Sequence, residues 1–108
     1  MCENTNLHNN QYGYVMECKK CDHIQMRFGN IALALSHNKF SELAQAVYNY
    51  YCDKQHCKCR NQKCIYLQSP AQNMMLVLSV NELEQVNDLL QSALLSLDLN
   101  EIFLKPTI

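Results

Sequence analysis

The hydrophobic positions of this chain change twice from the spacing of β-strands to the spacing of a helix. Between residues 22 and 35, apolar and polar side chains alternate on either side of Gly29-Asn30, a pair that tolerates positive φ. This pattern predicts two strands joined by a tight turn. After Ser36 the apolar residues recur at helical spacing. From residue 65 the order repeats, with two short apolar strands and a helix that follows Ser79. The sequence therefore predicts the order ββα–ββα.

The second helix has the clearer start signal and the wider apolar stripe. Ser79-Val80-Asn81-Glu82 matches a capping box, in which the Glu82 side chain returns to the Ser79 amide. The stripe is wider than one sheet face requires, and its residues are Leu83, Val86, Leu90, Ala93, Leu94 and Leu97, with Leu89 and Leu95 beside them. A wide apolar stripe on a single chain leaves a patch exposed, and such patches mark interaction sites. We therefore expect part of this helix, with the tail Ile102–Leu104, to contact a second copy or a protein partner.

The two halves also match residue by residue. Cys21–Val47, shifted by 43 residues, aligns without a gap on Cys64–Leu90. The positions that are identical in both halves are Cys21/Cys64, Gln25/Gln68, Asn30/Asn73, Leu33/Leu76, Leu35/Leu78, Ser36/Ser79 and Asn38/Asn81. We interpret this as an internal duplication with repeats 21–47 and 64–90; chance similarity of two ββα units is the competing interpretation. A hairpin alone is marginally stable, so pairing of the two hairpins predicts an α+β fold: one four-stranded antiparallel sheet covered by two helices.

Length and composition are typical of a small globular protein. A chain of 108 residues, 48% of them hydrophobic, is expected to fold as a single globular domain, 1–108. Residues 1–11 are polar and are expected to form a loose tail, and residues 100–104 a fifth strand or a docking segment. A net charge of −1 gives no general attraction to nucleic acid or membrane.

The compartment is inferred from what the sequence lacks. No apolar run approaches the length of a membrane span, and the polar N-terminus has no signal-peptide apolar region. We therefore expect a cytoplasmic protein with reduced thiols and no membrane partner. In that setting the 7 cysteines are read as metal ligands or reactive thiols before disulfides, and an odd number cannot all pair within one chain.

Apart from Cys2 in the polar N-terminal segment, the cysteines form two groups. Cys18-Lys-Lys-Cys21 is a CxxC turn, and the connecting loop 52–64 carries Cys52, Cys57, Cys59 and Cys64. Four thiolates around zinc are the expected centre. The candidate ligands are Cys18, Cys21, Cys57, Cys59 and Cys64, and the favoured set is the CxxC with two of the loop cysteines. A site contained within the loop, a metal-free reduced loop, and replacement of one thiolate by His23 or His56 remain open.

The connecting loop is also basic. Lys54, Lys58, Arg60 and Lys63 lie within it and define an alternative hypothesis, a zinc-dependent nucleic-acid-binding protein. The competing explanation is that these cations offset the two negative charges of a four-thiolate zinc centre. Tyr48, Tyr50 and Tyr51 end the first helix; we expect them to close the core, with base stacking as the less favoured role.

One resemblance covers most of the chain outside residues 52–64. The motif CxxCxxIQxxFGNIxLxLSxxxF, carried by Cys18–Phe40, and LxLSxxELxxVxxLL, carried by Leu76–Leu90, resemble a small family of uncharacterised bacterial proteins of about this length. Because that family has no assigned activity, the resemblance implies a bacterial cytosolic setting and no catalytic residues.

These observations favour a non-enzymatic protein. The chain has no Gly-rich phosphate loop, no GxSxG and no HExxH. The leading hypothesis is a zinc-stabilised interaction module. The alternatives are nucleic-acid binding through the basic loop, and a thiol redox or metal-handling protein that uses Cys18 and Cys21.

Overall fold

The protein is α+β, as its sequence predicts. The structure, a computed structural model, describes residues 4–53, 59–70 and 73–104. Its elements are β1 (Asn4–Asn10), β2 (Gly13–Cys18), β3 (His23–Phe28), β4 (Ile31–Leu35), α1 (His37–Cys52), β5 (Ile65–Gln68), β6 (Met75–Leu78) and α2 (Val80–Leu104). The repeated order ββα is therefore present in β3–β4–α1 and in β5–β6–α2.

The sheets are not assembled as the sequence pattern predicts. β1, β2, β3 and β4 form one antiparallel four-stranded sheet in chain order, whereas β5 and β6 form a separate two-stranded sheet. The expectation that the two repeated hairpins share a sheet is wrong. The physical reason is that β1 and β2 are joined by a short turn and can pair with β3 without a long crossover. The side chain of Asn10 stabilises this turn by accepting the amides of Tyr12 at 2.8 Å and Gly13 at 3.2 Å.

The N-terminal segment is a strand and not the expected tail. β1 pairs with β2 from Asn4 opposite Cys18 to Asn10 opposite Gly13, with a register shift between Asn6 and His8. Leu7 lies at this shift and is buried at 5% exposure. The segment is otherwise polar, so its strand conformation depends on backbone hydrogen bonds to β2 and on this single apolar contact.

One core joins all the elements. It contains Leu7, Val15, Ile24, Met26, Leu33 and Leu35 from the large sheet, Phe40, Leu43, Ala44 and Val47 from α1, Ile65, Leu67, Leu76 and Leu78 from the hairpin, and Leu83, Val86, Leu89, Leu90 and Ala93 from α2. α1 packs on β3 and β4, and α2 packs on α1, β1, β2 and β6. α2 thus connects the small hairpin with the N-terminal half of the large sheet.

Equivalent residues of the two ββα segments have equivalent environments. Ser36 accepts the Lys39 amide and Ser79 the Glu82 amide, both at 3.2 Å, so each helix starts with the same cap. The core pairs at equivalent helix positions, all buried, are Phe40/Leu83, Leu43/Val86 and Val47/Leu90.

The strand registers of the two hairpins differ. Gln25 pairs with Ala34, whereas the equivalent Gln68 pairs with Met75. An offset of two residues keeps each side chain on its face of the sheet, so the core pattern survives a change in turn length.

The C-terminal segment continues α2 to Leu104, so the expectation of a fifth strand is wrong. Leu89, which the sequence placed beside the stripe, is fully buried within the chain, whereas Leu95 is 61% exposed. Within the described residues, no helix combines the length and the apolarity that a bilayer crossing requires.

Substitution of the two glycines by alanine tests the strand pairing of the large sheet. A Cβ at Gly13 would lie 1.8 Å from the Arg27 carbonyl oxygen on the paired strand, whereas a Cβ at Gly29 would meet nothing within 4 Å. Gly29 has a φ of +58°, so Gly29→Ala is expected to cost about 1 kcal/mol. Gly13→Ala should cost clearly more, because β2 and β3 must separate. Urea denaturation measures both; a Gly13→Ala variant as stable as Gly29→Ala would contradict this strand pairing.

Candidate functional site

The CxxC turn connects β2 to β3. Cys18 is the last residue of β2, lies opposite His23 and is 2% exposed. The Cys21 amide donates a hydrogen bond to the Cys18 Sγ at 3.4 Å. Asp22, which follows, has a φ of 54° and reverses the chain into β3. An amide directed at sulfur orients that sulfur and can support it as a negatively charged ligand.

The five predicted metal ligands have different states in the structure. Cys21 and Cys64 are each disulfide-bonded. Cys18 and Cys59 have free thiols, as has Cys52, and only Cys18 of these is buried. Cys57 lies outside the described residues. Within residues 4–53, 59–70 and 73–104, no three or more histidine, cysteine or acidic side chains gather as a metal site.

Of the two histidines that could replace a thiolate, one lies within the described residues. His23 is half-buried opposite Cys18, which puts it beside the CxxC turn. His56 lies outside the described residues.

The end of the cysteine-rich loop is held against the start of α2. The Arg60 guanidinium donates to Asn81 Oδ1 at 2.9 Å and contacts Glu84 Oε1 at 2.5 Å. The Asn81 amide donates to the Arg60 carbonyl at 3.2 Å, and its side chain donates to Asn61 Oδ1 at 2.6 Å. These contacts fix the backbone between Cys59 and Cys64 on the first turns of α2.

Glu82 connects the helix cap to the loop. Its Oε1 accepts the Ser79 amide at 2.9 Å, which completes the predicted capping box, and it also binds Lys63. Partial burial acts to raise the pKa of Glu82, but the hydrogen bond from Lys63 and the bonds to Ser79 outweigh it, so this pKa lies below its ordinary value.

The basic residues of the loop are therefore not all available to an anionic partner. Arg60 contacts Glu84 and Lys63 contacts Glu82, so both charges are balanced within the chain. Lys54 and Lys58 lie outside the described residues. The sequence could not indicate these pairs, because each joins residues about twenty positions apart.

A contact that the sequence did not indicate fixes the CxxC turn from its other side. His37, the first residue of α1, has its Nε2 2.8 Å from Glu17 Oε2 and its Nδ1 3.3 Å from Asp22 Oδ1. The ring thus links β2, the turn and the helix start. These residues meet only because β2–β3 and α1 pack together.

The tyrosines at the end of α1 do not close the core. Tyr48, Tyr50 and Tyr51 are 44%, 37% and 37% exposed, so this expectation is wrong. Val47 and the residues of α2 fill the core in their place. A hydrogen bond with Cys52, one turn further along, is the largest cause that raises the pKa of Tyr48.

The Glu82 contacts predict an acid-dependent stability term. A lowered pKa contributes stability above the unfolded-state value of about 4.3, and the contribution is lost as the pH falls through the folded-state value. Glu82→Gln keeps a capping-box side chain but removes the charge, so we expect a loss of about 0.5 kcal/mol at pH 7 that vanishes near pH 3. Urea denaturation at both pH values is the measurement. Glu84→Gln is the control for an exposed pair. A loss of stability in Glu82→Gln that is as large at pH 3 as at pH 7 would refute the assignment.

The comparisons with known proteins assign a family without an activity. No curated protein and no solved structure matches the chain. One family model, described as a family of unknown function (DUF6686), matches residues 1–104. This confirms the expectation of an uncharacterised family, and the chain belongs to the DUF6686 family.

Proposed function

We propose that the protein is a non-enzymatic interaction module whose cysteine-rich parts are held together by zinc. The ligands would be Cys18 and Cys21 with two of Cys57, Cys59 and Cys64. The observation that carries the proposal is the hydrogen bond from the Cys21 amide to the buried Cys18 sulfur. A buried sulfur that is supported by a backbone amide has the setting of a metal ligand in a knuckle turn.

The states of Cys21 and Cys64 are consistent with this proposal. Both form disulfide bonds, so each sulfur meets another sulfur. Convergence of sulfurs is also what a tetrahedral thiolate centre requires once the thiols are reduced. In a reducing compartment the disulfides open, and we propose that the reduced cysteines bind zinc there.

The attachment of the loop to α2 supports the same centre. Arg60 and Lys63 hold the backbone between Cys59 and Cys64 on the first turns of α2. This reduces the conformational entropy that two loop ligands would lose on binding a metal. A metal shared with the CxxC turn would then cross-link the large sheet to the loop, and its binding free energy would add to folding.

Metal content is the direct test. Protein purified under reducing conditions without added metal should contain about one zinc per chain by elemental analysis. Cys18→Ser with Cys21→Ser should abolish the zinc, and removal of zinc by a chelator should lower the melting temperature by several degrees.

The matched control is Cys52→Ser, which removes an exposed, free thiol that is not among the proposed ligands. It should retain full zinc. Absence of stoichiometric zinc, or retention of zinc in the Cys18/Cys21 double variant, would overturn the assignment.

We also propose that the C-terminal part of α2 contacts a second copy or a protein partner. Leu95 is 61% exposed and Leu94 and Leu97 are half-buried, so apolar surface remains between Ala93, which is fully buried, and residue 98, the last whose burial the structure describes. α2 continues from Ala93 to Leu104.

Self-association has a concentration-dependent readout. Light scattering over a range of concentrations should show a species larger than one chain, and Leu95→Gln should shift it toward the monomer. Met75→Gln changes another exposed apolar residue, 51% exposed on β6, and should leave the distribution unchanged. A monomer at every concentration would leave a different protein as the partner and exclude the second copy.

We infer, finally, that the two ββα segments descend from one duplicated unit. The shared caps of Ser36 and Ser79 and the buried equivalent core positions support this inference. In this interpretation only the second unit keeps a two-stranded sheet, because β1 and β2 extend the first.

A further inference from the structure

The outer face of the four-stranded sheet, opposite the helices, presents an ordered set of side chains. Two rows cross the strands, Asn9–Tyr14–Arg27–Ala32 and Asn6–Met16–Gln25–Ala34. Core residues such as Val15, Ile24 and Leu33 alternate with these positions and point to the helices. Most residues of the two rows are exposed, so this face is open within the described part of the chain.

Tyr14 is held in position at the centre of this face. The Arg27 guanidinium carbon lies 5.5 Å from the centroid of the Tyr14 ring, and Gln25 Nε2 donates to the Tyr14 hydroxyl at 3.0 Å. A shallow cavity adjoins the ring and is lined by Asn6, Asn9, Asn10, Gly13, Tyr14, Met16 and Arg27. A ring with two fixed neighbours presents a pre-organised stacking platform, since little rotamer freedom is left to lose on binding.

The charge on this face has one sign. Apart from histidines, the charged residues of β1–β4 are Glu17 and Arg27. Glu17 lies opposite the buried Ile24 and contacts His37, so it belongs to the inner side. Arg27 has no carboxylate partner among the described residues, and neither have Lys19 and Lys20, which are exposed at the end of the sheet.

We propose that this face binds single-stranded nucleic acid. Unpaired bases stack on aromatic rings and on guanidinium planes, and their edges form hydrogen bonds with amides such as those of Asn6, Asn9 and Gln25. The backbone phosphates require cations without internal partners, which Arg27, Lys19 and Lys20 provide. A peptide partner of either charge would not require this combination of one ring, several amides and cations alone.

The arrangement favours a single strand over a duplex. A flat sheet face has no helix or protruding ribbon that could enter a major groove. Lys19 directly follows the last residue of β2, so it lies at most about 17 Å from Tyr14 at about 3.3 Å per residue, which accommodates a few unpaired nucleotides. The strand would run from the Tyr14 platform toward the CxxC turn.

This site differs from the basic loop that the sequence singled out. Arg60 and Lys63 are paired with glutamates of α2, whereas the cations of the sheet face have no carboxylate partner in the part of the chain that the structure describes. None of the residues proposed here is a proposed zinc ligand, so the two proposals can fail separately.

The test is fluorescence anisotropy with the full chain and a labelled 12-nucleotide mixed-sequence RNA, repeated with the corresponding duplex. Tyr14→Ala should weaken single-strand binding by about tenfold or more. Arg27→Gln should weaken binding and reduce the salt slope by about 0.7, the value of one lost phosphate contact on a single strand. Tyr14→Phe retains the ring and should bind nearly as well as the unaltered chain.

The controls separate this face from the rest of the surface. Tyr66→Ala removes a 57% exposed ring on the other sheet, and Lys39→Gln removes a cation that is paired with Glu42; neither should change the affinity. Thermal unfolding identifies a variant that fails to fold, in which case Arg27→Gln and Tyr14→Phe carry the decision. Absence of binding at low salt, equal binding of the duplex, or an equal loss in Tyr66→Ala would overturn the proposal.

Discussion

The packing of α2 against both sheets is the interaction on which the rest of the structure depends. α2 packs on β6, β1, β2 and α1, and its buried residues lie in the core that these elements share. The β5–β6 hairpin has two strands and would be marginal without this helix. β1 has one buried apolar residue, Leu7, so its strand also depends on the core that α2 completes.

The described parts of both cysteine groups are held by contacts between elements. The CxxC turn is fixed by the β2–β3 pairing and by the contact of His37 with Glu17 and Asp22. The loop end is fixed by Arg60 and Lys63 on the first turns of α2. Among the described residues, the fold therefore fixes two separate cysteine-containing segments, the CxxC turn and residues 59–64.

The same contacts divide the surface by charge. Glutamates at the start of α2 neutralise the described cations of the loop, so the described part of the loop carries little net charge. The outer sheet face has the opposite balance, because its carboxylate faces inward and its arginine faces outward over Tyr14. The exposed Leu95, with the half-buried Leu94 and Leu97, forms a third surface of apolar character on α2. Composition alone, with a net charge of −1, conceals these differences.

The sequence by itself determined the helix starts, the tight turn at Gly29-Asn30 and the alternating strands around it, because each depends on residues within a few positions of one another. The caps of Ser36 and Ser79 are of this kind. Only the tertiary structure decided that β1 is a strand, that the repeated hairpins lie in different sheets, and that Arg60 pairs with Glu84. These features depend on partners distant in sequence, and a polar strand or a basic loop carries no local signal that identifies the partner it will meet.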